Sequence, residues 1–145
     1  MSFFPAVKES HSNDTRYQST LQHVQEHVQN VDNKRRIRCA SWNIGSLTGK
    51  SLELIDVMRR RRINIACIQE TRWKGMKAKM LDDFKLWYLG DQNGRGGVGI
   101  VVDKDLKNDV VDVKRVGDSI ISLKLELDKE VVNIIDVFAP QAKIG

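Results

Sequence analysis

The sequence predicts an α+β fold that opens with a parallel strand–helix–strand unit and continues as strands. Residues 37–69 contain an apolar strand-like run, a segment with helical spacing and a second strand-like run. This order is typical of a βαβ unit, whose two strands run parallel. From residue 85 onward, β-rich runs are separated by Gly and Asp turns, which favours antiparallel strands. The combination indicates a mixed α+β domain.

The opening unit consists of three segments. Ile37–Ile44 predicts the first strand, and Ile63–Gln69 predicts the second. Ser51–Arg62 predicts the helix between them, because its apolar residues recur at i, i+3 and i+4. Those residues are Leu54, Val57 and Met58.

The second half of the chain is predicted to be mostly strand. A short helix is predicted over Lys77–Phe84. The strands predicted after it are Lys85–Leu89, Val98–Asp103, Val110–Val116, Ile120–Leu127 and Val131–Phe138. In the fourth of these strands one face carries an apolar row, formed by Ile121, Leu123, Leu125 and Leu127.

Residues 1–36 are predicted to form a separate, mostly flexible polar tail ahead of a domain at 37–145. The tail is rich in Ser, Asn, Gln and His. A weak amphipathic helix is predicted over Thr20–Val31, from a thin apolar stripe. The stripe consists of Leu21, Val24, Val28 and Val31.

The charge of the chain is concentrated in its middle. The net charge is +5, but residues 34–79 carry thirteen basic and three acidic side chains, a balance of +10. This segment suits a polyanionic partner such as nucleic acid, although charge runs also serve as solvated faces. Part of the charge, Arg59–Arg62, lies at the predicted helix end, where cations complement the helix dipole.

No segment of the sequence predicts a membrane span or a secretory signal. The longest apolar runs are far shorter than the roughly 20 residues that cross a bilayer. Cys39 and Cys67 lie in apolar strand-like runs, which predicts buried free thiols rather than a disulfide or a zinc site. A reducing interior, nucleus or cytoplasm, is therefore expected.

Two polar residues end the two strands of the βαβ unit. Asn43 follows the first strand, and Glu70 follows the second. The carboxyl ends of neighbouring parallel strands meet at one edge of a sheet, where ligand sites of open α/β sheets lie. An amide and a carboxylate there suit Mg²⁺, which binds oxygen ligands, although polar residues also simply end strands. Gly94, Gly96 and Gly99 match G-x-G-x-x-G, but strand-like residues follow, which favours a tight turn over nucleotide binding.

Four motifs, in order, resemble the endonuclease/exonuclease/phosphatase family. Trp42-Asn43 resembles its first motif, and Gln69-Glu70-Thr71 resembles the second, whose Glu is the metal ligand. The other two are a glycine-led strand, Gly97–Ile100, and Val137–Pro140, which resembles a tyrosine-x-proline motif. The string QETRWKG at residues 69–75 is similar to the branch with craniofacial development protein 2-like chains and RTE-type retrotransposon endonucleases. The resemblance covers about residues 37–145.

The resemblance implies a four-layer α/β sandwich and Mg²⁺-dependent phosphoester hydrolysis. Glu70 would hold the metal, Asn43 would orient the phosphate or the metal shell, and Arg72 and Phe138 would contact substrate. Phe138 stands where the family has Tyr, so a hydroxyl that contacts phosphate is absent. The family's later Asp-x-Asn and Ser-Asp-His motifs have no counterpart, and all three histidines precede the first motif.

These departures predict a truncated family domain, the first sheet and its flanking helices, with little or no catalysis alone. One alternative is an active Mg²⁺-dependent endonuclease or phosphatase completed by another chain. A second alternative is a non-catalytic nucleic-acid or protein interaction module that uses residues 34–79. The substrate stays open among DNA, RNA and a small phosphate ester. A first sheet without its partner sheet would leave an apolar face uncovered, so self-association through that face is expected.

Overall fold

The computed structural model describes residues 2–5, 25–31 and 35–139, with side chains from residue 36 onward. In chain order the strands are β1 Ser2–Pro5, β2 Gln25–Val31, β3 Arg35–Asn43, β4 Ile65–Gln69, β5 Gly75–Leu81, β6 Phe84–Gly90, β7 Val98–Val102, β8 Val110–Val116, β9 Ile120–Leu127 and β10 Glu130–Val137. Helix α1, Ser51–Arg61, lies between β3 and β4, and a 3-10 turn, Lys107–Asp109, precedes β8. The strands form a large sheet in the order β2-β3-β4-β7-β6-β5 and a small sheet in the order β1-β10-β9-β8. The predicted α+β class is confirmed.

The βαβ unit forms as predicted. Strands β3 and β4 run parallel, with registers from Cys39 opposite Ile65 to Asn43 opposite Gln69. Helix α1 covers one face of the large sheet with its buried residues, and it ends at Arg62 in the left-handed conformation. The buried helix residues are Leu54, Ile55, Val57 and Met58.

The other face of the large sheet packs against the small sheet. The apolar row of β9, predicted to share one face, is 0–1% exposed. It packs in one core with large-sheet residues such as Ile65 and Ile100. The expectation of an uncovered face for this row is therefore wrong, because β8, β9 and β10 form a second sheet that covers the first. Self-association itself stays a prediction.

The helix predicted over Lys77–Phe84 is wrong, because strand β5 and a hairpin turn occupy these residues. The segment is rich in helix-forming Lys, Ala, Met and Leu, but pairing with β6 overrides this weak preference. Leu81 pairs with Phe84 across a two-residue turn, in which Asp82 has a φ of 58°. Asp accepts the left-handed conformation that such tight hairpins need.

The helix predicted over Thr20–Val31 is wrong where the structure describes it, and residues 20–24 lie outside the described residues. Gln25–Val31 is a strand that pairs antiparallel with β3. Ladder hydrogen bonds at the sheet edge stabilise this strand more than a thin apolar stripe stabilises a helix. Ser2–Pro5 pairs parallel with β10. The domain boundary after residue 36 stays a prediction.

Both cysteines are buried and free, as predicted. Burial raises the pKa of the Cys39 thiol to about 12, and that of Cys67 well above its usual value. Such protonated thiols behave as small apolar side chains. Among the described residues, no helix has the length and apolar character needed to cross a membrane.

The packing between the two sheets predicts a large cost for truncating its core. Leu125→Ala is expected to lower the free energy of unfolding by about 2–5 kcal/mol, because Leu125 is fully buried in that core. Val111→Ala is the control, since Val111 is 51% exposed on β8 and should change stability by less than about 0.5 kcal/mol. Urea unfolding measures both. Equal effects would contradict the face-to-face packing.

Candidate metal and phosphate site

Asn43 and Glu70 lie at the carboxyl ends of adjacent parallel strands. Asn43 is the last residue of β3 and lies opposite Gln69, the last residue of β4. The Ile44 amide donates to the Gln69 carbonyl at 2.9 Å, so the pairing continues to the point where the chain turns away. The strand ends are therefore placed as the sequence predicted. The roles of the two side chains stay predictions.

The side chain of Asn43 is exposed and anchored by its own turn. Its Oδ1 accepts a hydrogen bond from the Gly45 amide at 3.0 Å, and Gly45 has a φ of 74°. The Lys50 ammonium donates to the Ile44 carbonyl at 3.2 Å, so a cation lies beside this turn. A positive group and an oriented amide suit an anionic ligand at this edge.

Glu70 and Arg72 are held in an unusual backbone conformation. Both have a φ of 58°, a region that costs a residue with a Cβ about 1–2 kcal/mol. The Glu70 amide donates to Gly97 at 2.8 Å, and the Arg72 amide donates to Gly96 at 2.7 Å. Non-glycine residues in this region cluster at functional sites, where surrounding contacts hold them.

The glycines beside this segment permit a close approach of the two backbones. Thr71 is fully buried, and a side chain at Gly97 would collide with its Oγ1. Gly96 and Gly97 precede strand β7 directly, not a helix. The predicted tight turn, followed by a strand, is therefore confirmed.

Phe138 reaches the same edge from the small sheet. A Cβ on Gly96 would lie 2.7 Å from its Cε2, so its half-buried ring rests against that glycine. The Phe138 amide donates to the Ser119 carbonyl at 2.9 Å. Since Gly96 also accepts from the Arg72 amide, Phe138 and Arg72 flank one glycine. All four predicted site residues thus belong to one edge of the molecule.

Asp136 is a polar residue at this edge that sequence reasoning missed. It is 2% exposed, and its Oδ1 accepts a hydrogen bond from Gln69 Nε2 at 2.6 Å. Its Oδ2 has no hydrogen-bond partner within residues 36–139. Burial raises its pKa to about 8, although the hydrogen bond from Gln69 opposes the shift. The signal was present, because Asp136 follows the buried Val132 and Ile134 at alternating positions in β10.

The donor set fits only part of a magnesium site. Mg²⁺ is often held by one or two carboxylates together with phosphate oxygens and water. Glu70 supplies one carboxylate at this edge, which matches that minimum, and the exposed Asn43 amide lies at the same edge, on the side where a phosphate would bind. Within residues 36–139, no three His, Cys, Asp or Glu side chains lie close enough together to hold a metal ion.

The buried Asp136 predicts a pH-dependent stability. Between about pH 4, the usual pKa of an unfolded Asp, and pH 8, the folded chain keeps a proton that the unfolded chain has lost. The free energy of unfolding should therefore fall as pH rises through this window, by up to about 1.4 kcal/mol per unit, and level off above pH 8. Asp136→Asn should remove this contribution. Urea unfolding of both proteins from pH 5 to 9 tests it, and parallel curves would contradict the assignment.

No family model matches the chain. It is 32% identical over 102 residues to craniofacial development protein 2 of Tragulus javanicus, and 30% identical over 102 residues to that of Bos taurus. These matches cover 69% of this chain in each case. The chain spans only 18% and 17% of the length of these two relatives.

Two solved structures with a similar arrangement are endonucleases. The AP endonuclease LMAP from Leishmania major matches with a TM-score of 0.55 and 11% identity, over 89% of this chain and 48% of that one. The endonuclease domain of TRAS1, a telomere-specific non-LTR retrotransposon, matches with a TM-score of 0.49 and 20% identity, over 74% and 47% of the two chains. The first likeness establishes the fold alone. The resemblance seen in the motifs is confirmed in this form: the chain is homologous to one part of craniofacial development protein 2, and its mixed α+β fold is that of part of an endonuclease/exonuclease/phosphatase enzyme.

Proposed function

We propose that this chain is a partial metal-dependent phosphodiesterase domain with little or no catalysis of its own. Glu70 would hold Mg²⁺, Asn43 would orient the phosphate, and Arg72 and Phe138 would contact the substrate. The observation that supports this most is that four residues from distant parts of the chain belong to one edge, connected through Gly96, Gly97 and Gln69.

The chemistry proposed for this edge is electrostatic. A bound Mg²⁺ would supply positive charge to a phosphoryl oxygen. The Arg72 guanidinium, which is exposed and forms no ion pair among residues 36–139, is free to pair with a second phosphate oxygen. The Asn43 amide N–H group would donate to the phosphate, because its Oδ1 already accepts from Gly45.

Little catalysis is expected from these 145 residues, because no suitable proton acceptor is evident at the proposed site in the part of the chain that the structure describes. Hydrolysis needs a group that takes a proton from the attacking water, which contributes about 10²–10⁴-fold in rate. All three histidines lie before residue 28, and none follows the Asn43 motif. Asp136 is buried, and its carboxylate oxygen Oδ1 is engaged by Gln69.

Metal binding without cleavage is the expected behaviour of the purified chain. Mn²⁺, used as a probe for Mg²⁺, should bind weakly, and Glu70→Ala should abolish this binding. Glu126→Ala is the matched control, because Glu126 is an exposed carboxylate on β9 in the small sheet. Water-proton relaxation measures the binding, and a plasmid assay with Mg²⁺ should give no cleavage. Mn²⁺ binding that survives Glu70→Ala, or cleavage that this change removes, would contradict the proposal.

A second candidate function is nucleic-acid binding by a smaller part of the basic segment. Arg59 pairs with Asp82 and Asp83, and Arg60 pairs with Asp56 at 3.2 Å, so part of the helix charge is neutralised. Residues 72–80 contain four basic and no acidic side chains, and none of the four forms an ion pair among residues 36–139. We name this stretch the basic edge; its basic residues are Arg72, Lys74, Lys77 and Lys79.

The basic edge runs from the candidate metal site to the border of the large sheet. Trp73 lies within it, half-buried, with its ring 5.2 Å from that of Tyr88 and the Lys79 ammonium 5.2 Å from its centroid. Lys77 and Lys79 lie on β5, the last strand of the large sheet. Lysines also protect edge strands from aggregation, so charge alone does not establish a partner. An aromatic ring among cations that form no ion pair within residues 36–139 favours a nucleic-acid strand.

A salt titration distinguishes nucleic-acid binding by the basic edge from a role of its lysines in protecting the edge strand. Binding of a single-stranded oligonucleotide in EDTA should weaken with salt, and Lys77→Ala/Lys79→Ala should lower the log–log slope by about 1.4, or about 0.7 for each lost phosphate contact. Lys114→Ala/Lys124→Ala removes the same charge from the small sheet and should leave the slope unchanged. Fluorescence anisotropy measures both. Equal effects of the two double substitutions would show that binding depends on the net charge of the chain and not on the basic edge.

A further inference from the structure

Three strands enter the candidate site from one hydrogen-bonded cluster, which consists of the half-buried Gln69 and the buried Ser41 and Asp136. Gln69 Nε2 donates to Asp136 Oδ1 at 2.6 Å and to Ser41 Oγ at 3.1 Å, and it lies 3.3 Å from the Cys67 carbonyl oxygen. The cluster thereby joins β3 and β4 of the large sheet to β10 of the small sheet.

Each member of the cluster precedes a predicted site residue by one or two positions. Ser41 precedes Asn43 by two residues, and Gln69 precedes Glu70 by one. Asp136 precedes Phe138 by two. A change in the position of any member would therefore be passed along one or two backbone units to the site.

The apolar contacts between the two sheets do not by themselves fix the positions of the strand ends at the site. Packing of Ile and Leu rows is non-directional, so it holds the sheets together but does not orient any single polar group at the strand ends. A short hydrogen bond to a buried carboxyl group is directional. Burying Asp136 is costly, because its Oδ2 finds no partner among the residues with described side chains, and a leucine there would bury more favourably. Stability alone therefore gives no reason for an aspartate at this position.

We propose that Asp136 is a positioning residue, which acts through Gln69 to hold the ends of β3, β4 and β10 in the arrangement that the site requires. This inference rests on the proposed function for its chemical purpose. The positioning itself is a property of the chain without metal.

Hydrogen exchange in the absence of metal tests the positioning directly. The variant is Asp136→Leu/Gln69→Met, which replaces both partners by apolar groups of similar size and should therefore fold with nearly unchanged stability. Exchange of the Glu70, Arg72 and Phe138 amides should rise by about fivefold, the effect expected from losing one neutral hydrogen bond. Exchange of the Ile100 and Leu123 amides should not change.

The conservative variant Asp136→Asn keeps an oxygen acceptor for Gln69 and should restore wild-type exchange. If Asp136 contributed only to overall stability, the double variant would show faster exchange at the Ile100 and Leu123 amides as well, or no change at any amide. Wild-type exchange at all three edge amides in the double variant would overturn the proposal.

A second measurement relates the cluster to the proposed function. Water-proton relaxation with Mn²⁺ should show about 10–100-fold weaker binding to the double variant, the usual effect of losing groups that orient a metal ligand. Asp136→Asn should bind Mn²⁺ as the wild type does. Unchanged affinity in the double variant would also overturn the proposal. If the wild type itself binds no Mn²⁺, the proposed function fails, and the exchange experiment alone decides the positioning role.

Discussion

The face-to-face packing of the two sheets is the contact on which the rest of this structure depends. Rows of β9 and β10 side chains fill the space over β4, β6 and β7, and helix α1 covers the opposite side of the large sheet. Without the small sheet, the apolar face of the large sheet would be open to water. The same contact brings β10 over the end of β4, so that a residue near the end of the chain touches a site whose first residue is Asn43.

Local periodicity was sufficient to predict most of the strands, but not how they group into sheets. Leu123 and Leu125 alternate with polar residues, which predicts that one face is buried without saying what covers it. The expectation of an uncovered face failed for that reason, since the core that these leucines join includes Ile37, which lies 88 residues before Leu125. The prediction of a helix at β5 failed for a different reason. Lys77, Ala78 and Lys79 favour a helix, and they form a strand only because they pair with β6, which a local pattern does not reveal.

The candidate site was more accessible to sequence reasoning than the contacts that support it. Parallel pairing brings Asn43 and Glu70 to one edge by geometry alone, and a motif resemblance added Phe138. The left-handed conformations of Glu70 and Arg72 depend on hydrogen bonds to glycines about 25 residues later, which no local pattern reveals. Asp136 alternates with Val132 and Ile134 in β10, but only the covering of this strand by the large sheet shows that all three side chains are buried.

The ring of Phe138 has an evolutionary consequence. Its edge rests against Gly96, and its Cζ would lie 3.5 Å from a Cβ at that glycine, so the ring is fixed by shape rather than by any polar group. A phenylalanine and a tyrosine differ there by one oxygen atom on Cζ, and the glycine that makes room for the ring is unaffected by that difference. A lineage could therefore lose or regain the hydroxyl by one substitution while the surrounding backbone stays in place.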